Sequence, residues 1–121
     1  WDNALGPQLS ETLHYIVTTH KSGKELSFSR YNWAESSFTD AHAIPPADLI
    51  ILEGVGSGQV AIRDELAALI WIDIEESLGL ERVISRDGQS IKAQMQKWLA
   101  QQEQHFAREG TQNAADFILT T

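Results

Sequence analysis

The sequence predicts an α/β domain built around a mainly parallel sheet. Two short, uninterrupted apolar runs, Asp48–Leu52 and Ala67–Ile74, carry this prediction, together with helical-period stripes on either side of them. A β-branched-rich run without alternation suits a strand buried on both faces of a parallel sheet. Two such strands separated by about a helix's length of chain make a βαβ unit.

The elements follow in order. Leu9, Leu13, Ile16 and Val17 recur at helical spacing after Gly6-Pro7, and His20 and Lys21 precede Gly23. Proline at the start with basic residues and glycine at the end is helix-terminus chemistry, so a helix is expected over about 7–20. Residues 22–47 hold Gly, Ser, Asn and Pro45-Pro46 among the aromatics Phe28, Tyr31, Trp33 and Phe38, without sustained periodicity. They read as a long aromatic-rich connection, either a binding loop or a mobile segment. Asp48–Leu52 ends at Glu53-Gly54, and the second run contains Leu69-Ile-Trp-Ile72 before Asp73. Glu75-Glu76 then opens a helix, with acid where the helix dipole favours it, and Leu80, Val83 and Ile84 form its apolar stripe. A further helix over about 89–109 places Ile91, Met95, Trp98, Leu99 and Phe106 on one face. Ala115–Leu119 reads as a short edge strand.

Composition narrows the function classes. The chain has 121 residues, 42% hydrophobic and 21% charged, which fits one packed domain over 1–121 but is short for a complete doubly wound nucleotide-binding fold. Seventeen acidic against nine basic residues give a net charge of -8, which repels nucleic acid and anionic membrane surfaces. Absence of cysteine removes disulfides, thiolate metal sites and cysteine nucleophiles, and fits a reducing cytoplasm. No run matches a membrane span or a signal peptide, and a start at Trp1 suggests a trimmed or fragmentary product.

Several residues are candidates for chemistry. Gly54-Val-Gly56-Ser-Gly58 follows a predicted strand, but its third glycine comes one residue too early for a dinucleotide fingerprint, and Gln59 stands where a phosphate loop needs lysine. A tight strand-to-helix turn is the expectation. Glu53, at the C-terminal end of a parallel strand, falls where open α/β sheets bind ligands and is placed to hold Mg²⁺ or its water; the alternative is a turn-capping carboxylate. Arg82 and Arg86 share one helical face opposite the apolar stripe, ready either to neutralise a transferring phosphoryl group or to pair with Glu75, Glu81 or Asp87. Asp40 and His42 lie two apart on the expected loop with no third metal ligand nearby. His105 is expected to be a hydrogen-bonded structural residue and Glu103 to pair with an arginine. No Gly-x-Ser-x-Gly elbow supports a hydrolase.

Taken in order, Tyr31-Asn-Trp33, Pro45-Pro46, Glu53-Gly-Val-Gly-Ser-Gly58, Arg86-Asp-Gly88, Trp98 through Glu103 to His105-Phe106, and Ala115-Asp116 resemble the uridine kinase-like branch of the P-loop kinases over nearly the whole chain. The resemblance implies a P-loop NTPase-like three-layer α/β fold that here lacks its first strand and phosphate-binding loop. It implies ATP and Mg²⁺ as cofactors, Glu53 as a catalytic carboxylate near the metal, and Arg82, Arg86 and Asp87 in a lid-like helix over ATP. It puts Arg30, Tyr31, Asn32, Trp33 and His42 on the acceptor side, within the 22–47 connection. Asn32 departs from the family's Asp, which removes a charge that would orient a sugar hydroxyl. The phosphate loop and the acidic residue that activates the acceptor have no counterpart in this chain.

The expected function is therefore that of the C-terminal part of an ATP-dependent small-molecule kinase acting on a nucleoside-like or other hydroxyl acceptor, inactive by itself. The alternative is a non-catalytic kinase-like domain that binds a ligand or a protein. No nucleic-acid or membrane partner is expected, and open sheet edges would favour homo-oligomers.

Overall fold

The computed structural model describes residues 4–32 and 35–121, so Trp33 lies outside the described residues. The protein is a mixed α/β chain with one small parallel sheet and one antiparallel hairpin.

Helix α1 spans Pro7–Lys21, as expected, with proline in its first turn and His20 and Lys21 in its last. Its inward residues Leu13 and Val17 are buried and meet Ile62, with Leu9, Leu52 and Leu66 packed around them. This cluster is the main core.

Residues 22–47 are not a structureless connection. Leu26–Asn32 forms β1 and Ser37–Ile44 forms β2, paired antiparallel from Leu26↔Ile44 to Asn32↔Ser37, with an irregularity between Ser29 and Tyr31. Most of the hairpin is solvated on both faces, so its strands lack the apolar alternation that would have marked them in the sequence. Leu26 is buried, and the Ser27 amide donates to the Tyr15 hydroxyl at 3.2 Å, which docks the hairpin on α1.

The run 48–52 also departs from expectation: it pairs with no strand among the described residues. Leu49 is 73% and Ile51 84% exposed, while Ile50 and Leu52 are half-buried. Strand character needs a hydrogen-bonding neighbour as well as an apolar run, and none stands beside it here. Residues 54–58 then turn tightly into α2, a single helical turn over Val60–Arg63.

The second run shortens to β3, Ile70–Asp73. It is not buried on both faces, for Ile70 and Ile72 are more than half exposed. Its parallel partner is β4, Phe117–Thr120, in the register Ile70↔Phe117 to Asp73↔Thr120. The βαβ unit therefore runs from β3 to β4 and not between the two apolar runs. Its crossover comprises α3 (Glu76–Asp87), a 3-10 turn over Gln89–Ile91 and α4 (Lys92–Glu109). Both helices match their expected spans, except that the start of the second is the 3-10 turn. Gly110, with φ 61°, closes α4 in a left-handed conformation and donates its N–H to the Phe106 carbonyl at 2.8 Å. Trp71 on β3 packs edge-on against Phe106 of α4, ring centroids 4.6 Å apart, and joins sheet to helix.

Candidate functional site

Glu53 ends the apolar run just before the glycine turn, with its side chain exposed. It borders a cavity of about 370 Å³ lined by Leu5, Leu9, Leu13, Ile16, Leu52, Trp98 and the turn itself. Neither the α3 arginines nor Arg30, Tyr31, Asn32 or His42 line this cavity.

The glycine turn is a packed corner. Gly54 has φ 126°, which side-chain-bearing residues rarely adopt. A Cβ on Gly56 would run into Leu9 Cδ2, and one on Gly58 would lie 2.7 Å from Leu69 Cδ1 and 2.9 Å from Thr111 Cγ2. The amides of Ser57 and Gln59 donate to Gly54 and Gly56 carbonyls, and that of Val60 to Glu109 Oε2. With these donors committed and Gly56, Gly58 and Gln59 buried, the turn does not form a phosphate cradle.

Arg82 and Arg86 both lie on the exposed face of α3. Arg86 holds the neighbouring Asp87 through both carboxylate oxygens, Nε to Oδ1 at 2.9 Å and Nη2 to Oδ2 at 2.8 Å. These bonds hold the Asp87 carboxyl below the usual carboxylate range and raise the Arg86 guanidinium further. Arg82 donates instead to Thr121 Oγ1 at 2.9 Å, just beyond β4. Among the described residues, Arg86 is thus held by its neighbour and Arg82 by a hydroxyl, both on one exposed face.

The acceptor-side residues sit on the hairpin. Arg30 occupies the irregular step of β1, where its amide donates to Thr39 Oγ1 at 3.2 Å, and a bulge of this kind re-aims a side chain. Tyr31 meets Phe38 edge-on at 5.2 Å, and Asn32 Oδ1 accepts the Glu35 amide at 3.4 Å. His42 stands opposite Phe28. Asp40 and His42 thus lie on strand β2 and not on a loop.

Among the described residues, no three His, Asp or Glu side chains converge to hold a metal. A single exposed carboxylate still suits Mg²⁺, which keeps most of its waters and takes remaining ligands from phosphate oxygens. Glu53 fits that pattern.

Of two residues with weaker expectations, His105 is buried and hydrogen-bonded as expected, whereas Glu103 lacks the expected arginine pair among the described residues. His105 is 2% exposed, and its Nδ1 faces Arg108 Nη2 at 3.0 Å. Because arginine only donates, Nδ1 accepts and the proton resides on Nε2, which has no partner among the described residues. Burial lowers its pKa, with the Arg108 charge acting in the same sense against Glu109. Glu103 is exposed and makes no ion pair with an arginine among the described residues, since the arginine pairs are Arg86–Asp87 and Arg108–Glu109.

Sequence reasoning missed the contacts that tie the glycine turn to the helices. Ser10 Oγ donates to Gln59 Oε1 at 2.5 Å, and Arg63 and Glu109 bind the two ends of α2 to the end of α4. The partners are 46 to 49 residues apart, so no local pattern announces them.

The model of the family described as Phosphoribulokinase / Uridine kinase family matches residues 7–119. No curated protein matches the chain.

Proposed function

The chain belongs to the phosphoribulokinase/uridine kinase family, and from that membership we propose that its full-length protein transfers the γ-phosphoryl group of ATP to a nucleoside-like or other small hydroxyl acceptor. The family match across residues 7–119 is the observation that carries this reading. Glu53 would hold Mg²⁺ or one of its waters, which supplies charge neutralisation at the transferring phosphates. Arg82 and Arg86 would act from the lid-like helix. Arg86 would leave the exposed Asp87, and such solvated pairs bind weakly enough to be exchanged. Arg30, Tyr31, Asn32, Trp33 and His42 would line the acceptor side, where Tyr31 offers an aromatic face to a base. Positioning and electrostatics would do most of the work.

The phosphate-binding loop and first strand would come from a segment outside this sequence, because no Gly-x-x-x-x-Gly-Lys-Ser/Thr occurs within its 121 residues and the glycine turn is committed to packing. The chain alone would therefore be inactive. Pairing between copies through open sheet edges belongs to the same reading, and the exposed apolar face of Ile70, Ile72, Phe117 and Leu119 would add to it.

The test is Arg86→Ala in the full-length protein. Turnover should fall on the order of 10²–10³-fold, the scale of losing one preorganised charge-stabilising donor, with acceptor KM little changed. Unchanged turnover sinks the lid assignment.

A further inference from the structure

Glu53 is followed at once by a turn with three glycines in five residues, the most conformationally free kind of backbone. A carboxylate at the edge of such a turn keeps a fixed position only if the turn is held from outside. Its carbonyls are indeed taken up one after another. The Gly54 carbonyl accepts Ser57 Oγ at 2.8 Å, that of Gly56 accepts Gln59 Nε2 at 3.2 Å, and that of Gly58 accepts Arg63 Nε and Nη2 at 3.2 and 2.9 Å.

Two of these donors tie the turn to distant elements: Gln59 accepts Ser10 Oγ of α1 on its Oε1 at 2.5 Å, and Arg63 reaches the end of α4. Arg63 Nη2 also donates to the Glu109 carbonyl at 2.7 Å, at the last residue of α4. Glu109 answers from the other direction, accepting the Val60 amide on Oε2 at 2.8 Å. Although burial opposes it, this bond helps hold the Glu109 carboxyl below the usual carboxylate range, with Arg108 beside it. The half-buried Arg63 guanidinium thus links the glycine turn to the end of α4, and the Val60–Glu109 bond gives α2 a second tie to the same helix end. A planar fork meets the two carbonyls with three bonds in one preset geometry, whereas an ammonium is a point donor on a flexible stem.

We propose that Arg63 is a positioning residue for Glu53: by clamping the glycine turn to α4 it keeps the carboxylate at the place where Mg²⁺ is held. The proposal rests on the reading of Glu53 as the metal-side carboxylate.

The experiment compares Arg63→Ala, Arg63→Lys and Glu53→Gln in the full-length protein, with thermal unfolding, acceptor KM, kcat and the Mg²⁺ concentration for half-maximal turnover measured for each. Groups that orient a metal ligand typically cost 10–100-fold in metal affinity or activity when removed, so folded Arg63→Ala should lose roughly 10–100-fold in kcat or Mg²⁺ affinity. Acceptor KM should stay near wild type, and Arg63→Lys should recover part of the loss. A folded Arg63→Ala with wild-type kcat and Mg²⁺ dependence overturns the proposal, and so does failure of both Arg63 variants to fold, which makes the clamp purely structural. Wild-type turnover in Glu53→Gln removes the reading of Glu53 itself, and with it this proposal, whatever Arg63 does.

Discussion

His105 shows how one buried side chain makes the fold sensitive to pH. Its imidazole is neutral in the packed state, Nδ1 accepting from Arg108, and protonation would place a charge in a buried site and remove the acceptor of that bond. The folded-state pKa is depressed, so the unfolded chain binds the proton more readily. Stability from this residue is therefore present above the unfolded value of about 6.5 and declines as pH falls through it. Urea midpoints measured from pH 7.5 down to 5.5 should fall, and His105→Gln should flatten that decline. The depressed carboxylates Glu109 and Asp87 act in a separate, more acidic window, below the ordinary carboxylate pKa of about 4. Of the candidate site residues, Arg82 and Arg86 were the most legible, because a spacing of four on an apolar-striped helix suffices to put them on one exposed face. Glu103 was misread: its spacing beside Leu99 and Phe106 gives no information about which cation, if any, the fold brings near.

At the scale of elements, the glycine turn and α2 join the core to the run that ends at Glu53. Gly56→Ala should destabilise by about 1–3 kcal/mol, the cost of overpacking, since the added methyl meets Leu9 Cδ2. Ile62, 1% exposed in the cluster with Leu13 and Val17, should cost roughly 2–5 kcal/mol as Ile62→Ala. Chemical denaturation reads both. The helices were legible because each carries its own evidence, a stripe at helical spacing and a terminal Gly or Pro. Among the strands, β3 and β4 were legible as the run ending at Asp73 and the short edge strand near the C-terminus, whereas the hairpin and the 48–52 run were misread, for two different reasons. The hairpin strands are solvated on both faces, so no burial pattern marks Leu26–Asn32 or Ser37–Ile44. The 48–52 run carries the right composition but finds no hydrogen-bonding neighbour among the described residues. Strand formation is a property of pairs, and a single stretch of sequence holds only half of the information.

At the scale of the whole molecule, the parallel pair β3–β4 presents Ile70, Ile72, Phe117 and Leu119 to solvent at 52–60% exposure. Parallel sheets are ordinarily covered on both faces, and β4 carries no charge or proline to discourage edge pairing. The chain by itself should self-associate with rising concentration, more strongly as salt screens its net charge of -8, and Leu119→Lys should reduce this in sedimentation velocity. A clean monomer at high concentration and high salt would remove pairing between copies from the proposed function. No helix among the described residues is long and apolar enough to cross a membrane. The family match spans core, hairpin, α3 and α4 alike. The most direct test is ATP-dependent phosphoryl transfer by the full-length protein to a panel of nucleosides and related alcohols, followed by phosphorus NMR, for wild type and Glu53→Gln. Phosphorylated acceptor from wild type, with turnover in Glu53→Gln reduced by at least about 10²-fold, is the predicted result. No acceptor phosphorylation by the wild type, or equal rates in the two proteins, would contradict it.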